Sequence, residues 1–133
     1  MVRVVVVDDS VIVQHSLSRL LTAVDGVEVI GFAADVAGAL RLIESERPDV
    51  VVLDVELAGG DRGIDVLRHV VRRHSGIQVV ALSNFHWTDM REGFLEAGAK
   101  AYFDKSMEFT LARDWVAALV PRHVRDAAVL QAH

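Results

Sequence analysis

The 133-residue chain contains no cysteine, which excludes disulfides and thiolate–zinc sites and suits a reducing compartment. Long apolar runs are missing as well. Hydrophobic residues make up 52% of the chain, yet they fall in runs of about four or five, against the roughly 20 that a membrane span requires. Met1–Val7 has neither the length nor the cleavage pattern of a secretory signal. No basic run is dense enough for nucleic acid, and the net charge is −5, so direct DNA binding by this chain is not expected. These absences predict a soluble cytoplasmic protein, of the size of one domain that buries its core without staples.

What is present is an alternation. The runs 2–7, 27–33, 49–55, 77–83 and 100–103 read as strands. Between and after them, segments 10–21, 36–47, 64–74, 87–98 and 108–120 carry a helical period. Leu40 and Ile43 lie on the apolar side of the second helix, and Ile64, Leu67, Val70 and Val71 share a face of the third. Five strands separated by helices predict an α/β fold: a doubly wound, five-stranded parallel sheet in the flavodoxin-like order 2-1-3-4-5. In such folds the site lies at the carboxyl ends of the strands, where the strand order reverses.

Those ends carry chemistry. Strand 1 runs into Asp8 and Asp9, strand 3 ends in Asp54, strand 4 in Ser83, and Lys105 follows strand 5. Any one of these acids alone reads as a turn or capping residue; all five groups at one edge read as a site. Adjacent carboxylates repel and resist desolvation, so they call for a cation. Mg²⁺ suits one or two carboxylates, some water and phosphoryl oxygens. Asp9 and Asp54 are the expected direct ligands, Asp8 acts through water, and Glu56 offers its backbone carbonyl. The second oxygen of Asp54 is then a nucleophile toward phosphorus. Lys105 neutralises the phosphoryl oxygens, and Ser83 donates a hydrogen bond to one of them.

The blocks "VVVVDDS", "VVVLDV", "VVALSNF" and "AYFDKS" resemble the four signature blocks of the response-regulator receiver domain of two-component signalling. The resemblance runs through about residues 2–120 and sets a receiver domain over 1–120, with 121–133 as a C-terminal tail or the start of a linker. It implies phosphotransfer to Asp54 from a histidine kinase, a phosphotransfer protein or a small phosphodonor. It also implies a conformational switch made by Ser83 and the ring of Tyr102. The chain departs from the family pattern at several places. Ala58 and Ser106 stand where prolines are usual, Gly63 comes one residue late, Asn84 replaces a small residue, and Gln14 replaces a commoner arginine. Without proline, the Lys105–Ser106 bond is expected to be trans, with the lysine amine slightly displaced.

Other features have plainer readings. His69 and His74 are five apart, off one helix face, and read as surface residues. "GGDRG" reads as a turn, and Arg68, Arg72, Arg73 and His74 as the solvated end of a helix. Phe85, His86 and Trp87 follow Ser83 and either cover the sheet edge or form a moving loop. Gly93 marks either a mobile helix or a close-packing site. The apolar positions of 108–120 span more of the helix than docking on a sheet needs. Part of Trp115 or Val116 is therefore expected to be exposed, on a face through which residues 87–120 dimerise or dock a partner.

The resulting expectation is a Mg²⁺-dependent phosphoacceptor that switches a protein–protein surface and is not itself an enzyme. Alternatives are the receiver part of a longer DNA-binding regulator, or a phosphorylation-independent pseudo-receiver, although no acid is lost here. A phosphohydrolase using Asp54 as nucleophile would need a substrate-covering insertion, which the chain lacks.

Overall fold

The computed structural model describes residues 1–84 and 88–121. Strands β1 (Val2–Val7), β2 (Val27–Ala33), β3 (Val50–Asp54), β4 (Gln78–Ser83) and β5 (Ala101–Asp104) form a parallel sheet in the order β2-β1-β3-β4-β5. Helices α1 (Val11–Thr22), α2 (Val36–Glu46), α3 (Gly63–Arg73), α4 (Thr88–Glu96) and α5 (Phe109–Ala117) connect and follow the strands. The predicted sheet and order are therefore present. Most elements begin or end one to three residues away from the predicted bounds, because helix ends are set by caps. The Ser10 hydroxyl accepts the Val13 N–H at 3.3 Å and so starts α1 after it. Asp35 does the same for α2, accepting the Gly38 N–H at 2.7 Å.

The valine runs bury both faces of the sheet, as interior parallel strands must. Val5, Val7, Val51, Leu53, Val79 and Ala81 meet α2, α3 and α4 on one side. Val4, Val6, Val50, Val52, Val80 and Leu82 meet α1 and α5 on the other. Successive residues point to opposite faces, so a run of unbroken valine serves two cores at once. Between β1 and β3 the connections leave for opposite sides, which opens a cleft at their carboxyl ends.

Several finer expectations are corrected. On α3, Val66 is fully buried while Val71 is 42% exposed, so the buried face is turned toward Val66. Val71 instead lies over Gly98, which has a φ of 118° and leaves no room for a Cβ beside it. On α5, Val116 is fully buried and Leu111 is 47% exposed, whereas Trp115 packs against the core and stays partly exposed, as expected. The wide apolar stripe has a cause: α5 lies against α1 as well as the sheet. Gly93 has open space where a Cβ would stand, so close packing does not require it. All peptide bonds of the described residues are trans, Lys105–Ser106 among them. Phe85, His86, Trp87 and the segment 122–133 lie outside the described residues. Among the described residues, no helix is long and apolar enough to cross a membrane.

Candidate functional site

The strand ends deliver their groups to one cleft of about 450 Å³, lined by Asp9, Asp54, Glu56, Asn84 and Lys105 among others. Asp8 and Asp54 are buried at the ends of β1 and β3, and Asp9 stands exposed beside them. Carboxylate oxygens of Asp8, Asp9 and Asp54 all lie within 4.8 Å of one another. Lys105 reaches between the two buried acids, with Nζ 2.7 Å from Asp8 Oδ2 and 3.0 Å from Asp54 Oδ2. The Lys105 N–H donates to the Ser83 carbonyl at 2.8 Å, which holds the residue at the end of β4. The following turn is closed by Asp104, whose Oδ1 accepts from Ser106 N and Oγ at 2.8 and 2.7 Å.

The charges are not balanced. Burial pushes the Asp54 carboxyl up to about 6, the neighbouring Asp8 charge adds to this, and Lys105 opposes it. Burial alone would lower Lys105, but the Asp8 and Asp54 carboxylates outweigh it and hold the ammonium above its ordinary value. Asp8 Oδ1 accepts the Ser10 N–H at 2.8 Å. Its Oδ2 touches the ammonium, off the direction of a hydrogen bond, and is buried with no hydrogen-bond partner. Three hard oxygen donors at one cleft, one of them short of a partner, fit Mg²⁺ and its shell of water.

Supporting residues that carry no chemistry were less visible in the sequence. Gln14 Nε2 donates to the Asp8 carbonyl at 2.6 Å, so this replacement of a commoner arginine braces the acid loop. Ser10 does so too, through its N–H, while it caps α1. The signal was an aspartate–serine pair directly before a helical period.

The late glycine also finds its place. The loop after Asp54 folds into a 3-10 turn, Ala58–Gly60, with Gly59 and Gly60 at φ of 70° and 80°. Glu56 and Arg62 bridge across its base, and Asp61 Oδ2 accepts the Val36 N–H at 2.9 Å. Gly63 then returns to β3, donating its N–H to the Val55 carbonyl at 2.8 Å. Glu56 itself lines the cleft, with its N–H 3.4 Å from Asp54 Oδ1.

Ser83 and Tyr102 sit behind the acids and are both buried. The Tyr102 ring meets Phe94 edge-on at 5.9 Å, and Arg91 donates to its carbonyl at 3.0 Å. Burial holds the phenol above its ordinary pKa, and a hydrogen bond with Ser83 works against this. The predicted site residues are thus brought together at one edge of one sheet.

The sequence model of the response regulator receiver domain matches residues 4–116. The chain belongs to this family. It is 35% identical over 105 residues to the response regulator GacA of Pseudomonas viridiflava, covering 79% of this chain and 49% of that one. It is 34% identical over 108 residues to the DNA-binding transcriptional activator DevR/DosR of Mycobacterium tuberculosis, covering 81% of this chain and 49% of the relative. Among solved structures, the signal receiver domain of the response regulator NarL from Mycobacterium tuberculosis superposes with a TM-score of 0.81 at 30% identity. That match covers 90% of this chain and 95% of the other. This receiver domain therefore spans about half the length of these two curated relatives.

Proposed function

We propose that the receiver accepts a phosphoryl group on Asp54, from a histidine kinase, a phosphotransfer protein or a small phosphodonor, with Mg²⁺ bound by Asp9 and Asp54. Asp8 holds the ion through water, and the Glu56 carbonyl completes the protein's share of ligands. The observation that carries this reading is the position of Lys105, whose ammonium bridges Asp8 and Asp54 at 2.7 and 3.0 Å. With its carboxyl at about 6, Asp54 is mostly ionised at neutral pH and retains a free electron pair for attack. One of its oxygens attacks phosphorus in line with the leaving group. The P–O bond to Asp54 forms as the donor's P–N or P–O bond breaks, and the leaving group takes the electron pair. Mg²⁺, when bound, neutralises charge on the transferring phosphoryl oxygens. Lys105 keeps its contact with Asp8 and turns from Asp54 to a phosphoryl oxygen. The Ser83 hydroxyl donates to another, which draws on its contact with Tyr102 and biases the buried ring between two arrangements. The chain so acts as a signalling phosphoacceptor and not as a turnover enzyme.

The test is labelling by a small acyl phosphate in Mg²⁺, read by intact mass. Wild type gains one phosphoryl group and Asp54→Asn none. Equal labelling of both would reject Asp54.

A second reading is favoured by the lengths. A relative named as a DNA-binding activator is twice as long as the matched region. In that case this receiver regulates an attached DNA-binding part, and the surface of residues 87–120 serves as its dimer face. Within that surface, Leu95 and Leu111 are exposed apolar residues.

A further inference from the structure

At the edge of the sheet remote from the acids, the last turns of α2 and α3 bring together three side chains that the receiver chemistry does not use. Glu44 Oε1 accepts from His74 Nε2 at 2.8 Å and from His69 Nε2 at 3.4 Å. The ligand atoms of all three residues lie within 4.8 Å of one another. His74 is 9% exposed, which overturns the surface reading of this residue. His69 is half-buried, and the two rings stand 5.9 Å apart, tilted by 52°. The sequence spacing misleads because the fifth residue is the C-cap of α3, where the chain leaves the helix and the ring swings back toward α2.

We propose that Glu44, His69 and His74 form a site for a divalent transition cation of the Zn²⁺ class, clasping α2 to α3. Two imidazoles and a carboxylate are the donor set such ions take, with water completing the shell. Bonds of about 2.0–2.1 Å put neighbouring ligands of a tetrahedral shell about 3.3–3.4 Å apart. The pairs at 2.8 and 3.4 Å need only a small opening to admit an ion. Nitrogen donors select against Mg²⁺, which belongs to the oxygen site at the other edge.

One residue competes. Arg47 Nη1 donates to His74 Nδ1 at 3.1 Å, and its Nη2 lies 3.3 Å from Glu44 Oε2. With Nδ1 accepting, the single ring proton sits on Nε2, where the ion must bind. Coordination moves that proton to Nδ1 and drives Arg47 off, which its 61% exposed side chain allows. Arg72 and Arg73, exposed at the end of α3, add a weaker, salt-screened repulsion.

The experiment is Zn²⁺ titration of the untagged full chain in excess Mg²⁺, followed by calorimetry and thermal melting, with Co²⁺ absorption to report the ligand set. Wild type should bind one ion at this corner, melt several degrees higher at saturation, and show a ligand-field spectrum with nitrogen donors. His69→Gln and Glu44→Gln, checked for folding by circular dichroism, should each weaken binding by about tenfold or more. Arg47→Gly, which suits its φ of 47°, should tighten it. Zn²⁺ affinity and melting shift unchanged in both His69→Gln and Glu44→Gln would overturn the proposal, as would no binding by wild type.

Discussion

Gly63 seats its α-carbon against the backbone carbonyl of Asp54, and a Cβ there would collide with that oxygen. The obstacle is backbone at the end of β3, so nothing flexible can give way. The residue that opens α3 is thereby coupled to the position of the buried acid. Gly63→Ala is expected to destabilise the fold by about 1–3 kcal/mol, the usual range for overpacking. It should also slow labelling of Asp54 by displacing it from Lys105. Urea unfolding and acyl-phosphate labelling check both, and a silent substitution would show the contact to be soft.

The raised carboxyl of Asp54 makes a signed prediction. Its folded pKa of about 6 exceeds the ordinary 3.8, so the folded state holds this proton more tightly than the unfolded one. The associated stability is present below about pH 4 and is lost as pH rises through about 6. Relative to wild type, Asp54→Asn should gain stability over that window and level off above it. The gain is on the order of 1–3 kcal/mol in chelator. Mg²⁺ should shrink the difference, because it stabilises wild type by binding the ionised acid. Denaturant melts of both proteins between pH 4 and 8, with and without Mg²⁺, measure this.

Gly93 lies inside α4 with open space where a Cβ would stand. Gly93→Ala should therefore stabilise by about 1 kcal/mol through helix propensity alone. A loss of stability would mean that α4 needs its freedom or packs differently in solution.

Leu111 tests the proposed dimer face better than Trp115, which is partly buried against the core. Sedimentation with beryllofluoride and Mg²⁺ should show a larger species than the unmodified chain. Leu111→Glu should remain monomeric without loss of fold, since its side chain already meets solvent. Monomers throughout would reject self-association by this surface.

The sheet, its order and the five groups at its carboxyl edge were legible in the residues. Their causes are local: unbroken valine runs, helical periods between them, and acids placed directly after strands. A parallel sheet with right-handed crossovers admits few other arrangements of such a string. Side-chain burial on the helices was less legible, as Val66, Val71 and Val116 show, because it depends on which neighbours cover each face. A stripe broader than one sheet contact signals two contacts as readily as it signals exposure, and on α5 the second contact is α1. The Glu44–His69–His74 cluster lay wholly beyond the sequence. Its members are 25 and 30 positions apart and meet only because α2 and α3 pack on the same side of the sheet and end at the same edge. Local pattern determined the strands and what stands at their ends, since each strand carries its own signal. Tertiary packing alone decided what the helix ends bring together, since no residue there encodes the approach of the other helix.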